Sequence, residues 1–180
     1  MKDFLDISYL NSGSEKQKRA YRIIVSNEIM EKLAPYTPIL VGTIPIEVDI
    51  DASDLDIICY IGNEEDFTNR LNSYFGHFNG FVIARIVALG AIKANFYIGD
   101  FELEIFGQHI PTQKQYAYLH MLTEYQLLEV YGKTLRTAVI ELKQKGYKTE
   151  PAFAKALDLK GDPYNVLLNV PEHLRGSLLE

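Results

Sequence analysis

The sequence has a single cysteine, no excess of positive charge and no long hydrophobic run, and each shortage excludes a class of protein. Cys59 alone cannot form a disulfide framework or a paired-cysteine metal site, so we expect it to pack as a small apolar residue. The formal net charge is -6, so the chain lacks the basic surface that binds long nucleic acid. A nucleotide carried as its magnesium complex is not excluded by this charge.

Membrane association is also not expected. The most apolar stretch, Phe81–Ile92, is too short to span a bilayer and contains Arg85. The first 18 residues carry charges in place of the apolar segment of a signal peptide. We therefore expect a soluble, cytoplasmic protein.

The chain does contain enough apolar residues for a sizeable core. With 180 residues, 47% of them hydrophobic, it has the size of one domain or of a domain with a small appendage. Strand and helix patterns are mixed as far as residue 110, and helical periodicity dominates after Pro111. We predict an α+β fold: a mixed β-sheet with flanking helices over residues 1–110, and a helical C-terminal region over residues 111–180 packed on it.

Short motifs predict where several elements begin and turn. Ser14, followed three residues later by Gln17, has the pattern of a capping box at the start of a helix. Asn63 precedes an acidic helix start, which it can cap, and Gly99-Asp100 suits a two-residue hairpin turn. The segment Thr112–Gln115 predicts a second capping box.

A pair of aspartates stands at the start of a strongly apolar strand, where carboxylates are costly. Alternate residues of a strand share a face, so Asp54 and Asp56 lie together, as do Glu102 and Glu104 in a later strand. If the two strands are neighbours, up to four carboxylates converge and repel one another unless a cation or protons neutralise them. Ligands that are all oxygen favour Mg²⁺ or Mn²⁺.

The acidic residues are also compatible with a purely structural role or with a calcium loop. An aspartate at a strand entrance can bond turn amides, and Glu102 and Glu104 can decorate a solvated face. A calcium loop beginning at Asp49 fits poorly, because its obligatory glycine would fall at Asp54 and its bidentate glutamate at Tyr60.

Gly42 and Thr43 add a second kind of site at the end of a short apolar strand. A glycine there lets the backbone approach a phosphate, and the adjacent hydroxyl can bond it. In order, "GT", "SDLD" and "ELEIF" resemble the motifs of the nucleotidyltransferase superfamily of polymerase β and kanamycin nucleotidyltransferase. The longer set "GTIPI", "SDLDIICY", "FELEIFGQ" and "KTEPAFAKAL" looks like an uncharacterised bacterial family assigned to that superfamily.

The resemblance implies a metal-dependent nucleotidyltransferase that moves a nucleoside monophosphate from a nucleoside triphosphate to an unidentified small-molecule or protein acceptor. It implies that Asp54, Asp56 and Glu104 bind Mg²⁺ or Mn²⁺ and carry the catalysis, and that Gly42 and Thr43 bind the nucleotide. Glu102 is the alternative third acid. Glu104 is preferred because its setting is the more apolar one.

Departures from the superfamily pattern keep other functions open. The residues after Thr43 include no Arg or Lys, where many relatives place basic residues near the triphosphate; Lys93 can supply such a charge. The alternative is a catalytically weak or inactive nucleotide-binding sensor or antitoxin-like module on the same fold. A phosphohydrolase would need histidine-acid clusters that are not evident. Gln108, His109 and the tyrosines of the helical half can contact substrate or serve packing.

Overall fold

The centre of the molecule is a five-stranded mixed sheet. The computed structural model describes residues 2–170. The strands are β1 (Ile39–Val41), β2 (Leu55–Tyr60), β3 (Asn79–Ile86), β4 (Ala91–Ile98) and β5 (Phe101–Gln108). Their order across the sheet is β1-β2-β5-β4-β3, and only β2 and β5 are parallel neighbours. The two strands that carry the acidic motifs therefore lie side by side.

Within residues 2–170, six α-helices accompany the sheet. They are α1 (Glu15–Ser26), α2 (Ile29–Leu33), α3 (Glu64–Phe75), α4 (Tyr116–Gln144), α5 (Thr149–Ala156) and α6 (Pro163–Leu168). Gly132 has non-helical backbone angles and divides α4 into two parts. No helix within residues 2–170 combines the length and the apolar character needed to cross a membrane.

Most of the local motifs form the structures that their sequences predict. Ser14 and Gln17 make both hydrogen bonds of the capping box at α1. The Asn63 side chain accepts a hydrogen bond from the Asp66 amide at the start of α3. Gly99 and Asp100 form the turn between β4 and β5. These motifs act through neighbouring residues alone, so the sequence is sufficient to identify them.

The second predicted capping box is wrong. Residues Thr112–Lys114 form a 3-10 turn, and α4 begins only at Tyr116. The side chain of Gln115 does not cap the helix; its Nε2 donates to the backbone carbonyl oxygens of Cys59 and Ile110. A tertiary contact with β2 has replaced the local one.

The two faces of the sheet bury separate apolar clusters. One cluster joins Leu55, Ile57 and Cys59 of β2 to the helices α1 and α3. The other joins Ile58 to apolar residues of the helices α4, α5 and α6. The α+β fold with a helical C-terminal part is thus confirmed over the described residues. The last ten residues of the predicted helical region, 171–180, lie outside them, and the division at residue 110 stays a prediction.

Candidate active site

The floor of the site is formed by two neighbouring strands. Asp56 of β2 is in register with Glu104 of β5, so the two residues stand abreast on the same face of the sheet. Asp54 lies two residues before Asp56, just ahead of β2, and reaches the same cavity. The strand alternation that predicts convergence of these three side chains matches the observed register.

A cavity of about 1010 Å³ opens over this floor. Its floor is made by β2 and β5, and its opposite wall by the first turns of α4, Lys143 in the last turn of α4 and the start of α5. Gly42, Thr43 and Ser53 line its edge beside the acids. All five residues that the sequence assigns to the site therefore face one cavity, which has the size of a small-molecule binding site.

Gly42 approaches Asp56 so closely that only glycine fits. Its φ is 82°, a left-handed conformation that side chains disfavour, and a Cβ atom there would lie 2.4 Å from Oδ2 of Asp56. The adjacent Thr43 hydroxyl donates to Oγ of Ser53 at 3.2 Å. The backbone of Gly42 thus lies directly against a carboxylate with no Cβ between them, and the hydroxyls of Thr43 and Ser53 bond each other beside it.

Distant side chains hold the loop between β1 and β2 in place. The buried Gln17 donates from Nε2 to the carbonyl of Ile44 at 2.8 Å. Arg136 of α4 donates to the carbonyls of Ile46 and Glu47 at 2.5 and 2.9 Å. Because these bonds come from helices on both sides of the sheet, the edge of the cavity is fixed by the tertiary fold.

The two aspartates are destabilised in their charged form. Burial, together with the neighbouring Asp54 and Glu104, raises the pKa of Asp56 to about 8. Burial, followed by the charges of Glu104 and Glu102, also raises the pKa of Asp54. A divalent cation would reverse this effect by stabilising both carboxylates.

The structure separates the two candidates for the third acid. Glu104 lines the cavity, and its Oε2 lies 2.7 Å from the ammonium group of Lys93. Glu102 does not line the cavity, and it accepts hydrogen bonds from Asn95 and Tyr97. The geometry therefore favours Glu104 over Glu102 as the acid that can reach a ligand.

The helical wall contributes polar groups that the sequence motifs do not predict. His120, Glu124, Lys143 and Glu150 line the cavity opposite the acids. Burial raises the pKa of Glu124 well above its usual value, with a further contribution from Glu150. Burial also lowers the pKa of Lys143. A buried lysine therefore faces the site, although the segment directly after Thr43, residues 44–52, contains no Arg or Lys.

A sequence signal for this wall exists, but it is weak. Glu124 falls three residues after Met121 and three before Leu127, which are both core positions of α4. Lys143 continues the four-residue spacing of Leu135 and Val139, also buried. A charged residue at a helical position where apolar residues recur is unexpected, just as an aspartate in a core strand is, and it can indicate a functional site.

The remaining sequence candidates divide between the cavity and other contacts. Gln108 and Tyr116 line the cavity. His109 does not; its Nε2 lies 3.9 Å from the Glu64 carboxylate. The tyrosines Tyr118 and Tyr125 pack against the apolar cluster beneath α4.

The donor set suits a magnesium ion that arrives with further oxygen ligands. Asp54 and Asp56 supply carboxylate oxygens, which Mg²⁺ prefers, and the missing Cβ of Gly42 leaves Asp56 accessible. Within residues 2–170 no three acidic, histidine or cysteine side chains are arranged to hold an ion by themselves. Glu104 is paired with Lys93. Oxygens from a phosphate group would complete such a site.

Solved structures with this fold include RNA terminal uridylyl transferases. Cid1, an enzyme with that activity, superposes with a TM-score of 0.59 at 12% identity, over 80% of this chain and 48% of its own. A cytoplasmic RNA terminal U-transferase gives a TM-score of 0.53 at 13% identity, over 72% of this chain and 41% of its own. The molecule therefore has a nucleotidyltransferase-like fold.

A chain of the GLD-2/RNP-8 complex also has this fold, with a TM-score of 0.54 at 14% identity, over 92% of this chain and 65% of its own. The present chain thus spans about half the length of Cid1 and about two thirds of that chain. Residues 22–170 match the family described as a domain of unknown function, DUF4269, and the chain belongs to this family. No curated protein sequence matches the chain.

Proposed function

We propose that the protein transfers a nucleoside monophosphate from a nucleoside triphosphate to an acceptor hydroxyl or similar group. The observation that carries this proposal is that Asp54, Asp56 and Glu104 line one cavity in a nucleotidyltransferase-like fold. Gly42 and Thr43 lie at the edge of the same cavity. A metal-bound triphosphate requires carboxylates to hold the metal and small residues beside them that leave room for the phosphates.

Gly42 and Thr43 bind the triphosphate in this proposal. The glycine permits close approach of a phosphate to the backbone, and the threonine hydroxyl can turn from Ser53 to donate to it. Lys143 supplies the nearby positive charge, since it is buried in the cavity wall and interacts electrostatically with Asp54. The helical half thereby provides the positive charge that residues 44–52, directly after Thr43, do not supply.

Asp54 and Asp56 hold Mg²⁺ or Mn²⁺, and Glu104 completes the acidic set when a nucleotide is present. The bound ion supplies charge neutralisation of the phosphates and of the leaving pyrophosphate. Deprotonation of Asp56 accompanies binding, because its pKa of about 8 lies above that of an ordinary carboxyl group.

In the transfer step, the acceptor oxygen attacks the α-phosphorus and the bond to the pyrophosphate breaks. Glu104 accepts the proton that the acceptor hydroxyl loses. Its pairing with Lys93 at 2.7 Å holds the carboxylate at the floor of the cavity. Asp54 and Asp56 would keep the triphosphate in place through the metal ion that they would hold.

The acceptor is proposed to be a small molecule or a protein. Cid1 is described as a poly(U) polymerase and has been solved with MgGTP bound, but at 12% identity the likeness extends to the fold alone. The net charge of -6 argues against a long nucleic acid as acceptor here. A cytoplasmic location and the absence of a membrane partner remain part of the proposal.

One observation favours the alternative function, a nucleotide-binding sensor. The Lys93–Glu104 ion pair engages the third acid, which a sensor does not need for holding a metal–nucleotide complex. In that case Asp54 and Asp56 would bind the complex and no pyrophosphate would be released.

A turnover assay separates the two functions. Labelled triphosphates are offered with Mg²⁺ to small-molecule and protein acceptors, and pyrophosphate release is followed. We expect Glu104→Gln to retain nucleotide binding and to lose roughly two orders of magnitude in turnover, the scale of general-base catalysis. Glu102→Gln is the matched control, because it lies on the same strand outside the cavity. Tight binding without pyrophosphate release by the wild type would establish the sensor.

A further inference from the structure

The helical wall contains a carboxylate that the proposed chemistry does not use. Glu124 is only 3% exposed, and its Oε1 has no hydrogen-bond partner among residues 2–170. The side chain lines the same cavity as the catalytic acids. A buried acceptor without a donor is costly, so the site is incomplete until a ligand supplies one.

The neighbours of Glu124 do not meet this need. His120, one turn earlier on α4, is occupied: its Nδ1 lies 3.5 Å from Glu150, and its Nε2 lies 2.9 Å from the carbonyl of Tyr164. The ammonium group of Lys143 makes no hydrogen bond, and no ion pair within 4.0 Å, with any residue in 2–170. Glu124 and Lys143 therefore remain for a ligand, as does the buried Oε1 of Gln115, which also has no hydrogen-bond partner among residues 2–170.

The polar groups have a definite order along the cavity. Gln115, at the start of α4, contacts the carbonyl of Cys59 near the end of β2. Lys143 interacts with Asp54, ahead of β2, and with Glu124. The first part of α4 is therefore antiparallel to β2: it starts near the end of β2 and continues towards the beginning of that strand. From the acids towards Gln115, Lys143 comes first and Glu124 next.

Beyond Glu124 the cavity lining combines apolar and aromatic side chains with the amides of Gln108 and Gln115. Ile58 and Phe106 form its floor there, and Met121 and Tyr116 line the helical wall. The succession is thus acids and cation, then a hydrogen-bond acceptor, then apolar and aromatic surface. A nucleoside triphosphate has the same succession of phosphates, hydroxyl-bearing sugar and flat base.

We infer that Glu124 accepts hydrogen bonds from the sugar hydroxyls of the bound nucleotide and so selects ribonucleotides over deoxyribonucleotides. This inference rests on the proposed function, since it takes the phosphates to lie between the aspartates and Lys143. Loss of a hydroxyl leaves Glu124 buried and unpaired again, which gives discrimination against the deoxy analogue.

The test compares the binding of matched ligands by isothermal titration calorimetry with Mg²⁺ present. The ligands are the four ribonucleoside triphosphates, their 2′-deoxy and 3′-deoxy forms, and inorganic tripolyphosphate. For the wild type we expect at least one of the two deoxy forms to bind roughly tenfold or more weakly than the ribonucleotide. Glu124→Ala should bring that ratio towards one without weakening tripolyphosphate binding, and Glu124→Gln, which keeps one acceptor oxygen, should lower it by less.

Glu129→Gln is the control, because this exposed residue lies on the same helix. Glu124→Gln preserves the shape of the side chain, and its melting temperature checks the fold. The inference about Glu124 fails, and the proposed function stands, if the wild type binds the ribonucleotide and both deoxy forms equally. The same holds if the ratio of ribonucleotide to deoxynucleotide affinity is unchanged in Glu124→Ala. If the wild type binds neither nucleotide nor tripolyphosphate, the proposed function fails as well.

Discussion

The two walls of the cavity carry charge in different ways. On the sheet side, Asp54, Asp56 and Glu104 are like charges held together by strand register. On the helical side, Lys143 and Glu124 are a base and an acid that interact electrostatically without a close ion pair. The first arrangement needs a cation, and the second needs a ligand that both accepts and donates hydrogen bonds. A metal–nucleotide complex meets both needs at once.

The largest effect is expected from removing the charge on the sheet side. The double substitution Asp54→Asn, Asp56→Asn should abolish metal-dependent nucleotide binding, since no other carboxylate pair lines this edge of the cavity within residues 2–170. The fold should remain intact or become more stable, because two desolvated carboxylates are removed.

Calorimetry and thermal unfolding check both parts of this prediction. Asp51→Asn serves as the control, since Asp51 is exposed and lies outside the cavity. Unchanged nucleotide affinity in the double variant would refute the metal-binding role of the pair.

On the helical side, Lys143→Met should weaken triphosphate binding by roughly tenfold or more, the worth of a charge-assisted hydrogen bond. Stability should not fall, because the buried ammonium group has no close partner to lose. Titration of nucleotide and of tripolyphosphate measures the effect. The exposed Lys133 offers a control on the same helix as Lys133→Met. Equal affinities in the two variants would remove Lys143 from the phosphate site.

Gly42→Ala probes the edge between the two walls. The added Cβ would lie 2.4 Å from Asp56 Oδ2, on a backbone with φ of 82°. We expect a loss of about 1–3 kcal/mol in the free energy of unfolding and weaker binding of the magnesium–nucleotide complex. Gly146→Ala has a similar φ of 92° but open space around the new Cβ, so it measures the backbone strain alone. If Gly146→Ala weakens nucleotide binding as much, contact with Asp56 is not the cause.

The last prediction concerns stability alone, as a pH dependence of the metal-free protein. Asp56 has an ordinary pKa of 3.8 when unfolded and about 8 when folded. Between these values the folded state binds the proton that the unfolded state releases, so stability falls as the pH rises from about 4 to about 8. Denaturant unfolding at several pH values should show a shallower decline in Asp56→Asn than in wild type. Identical slopes would show that Asp56 is not the titrating group.

The sheet side was the more predictable half of the site. Strand alternation places Asp54 and Asp56 on one face from sequence alone, and the order of motifs along the chain leads to Glu104. The parallel pairing of β2 with β5 could only be assumed, because register depends on the whole sheet.

The helical side could not be derived in the same way. Lys143 lies 87 residues after Asp56 in the chain (143 minus 56), and the break at Gly132 alters the direction of α4 between Glu124 and Lys143. Helical spacing can show that these residues fall at apolar positions, but not which cavity they enter. The failed capping box at Gln115 has the same cause, since a bond to Cys59 displaced a local one.

We propose above all that Asp54, Asp56 and Glu104 bind a metal-bound triphosphate in the shared cavity. Calorimetric titration of each nucleoside triphosphate into the wild-type protein, with Mg²⁺ and then with the metal chelated, tests this binding directly. We expect tight binding with Mg²⁺ and a large loss of affinity without it, because the phosphates and the carboxylates would then repel each other. Equal binding in both conditions, or no binding in either, would contradict it.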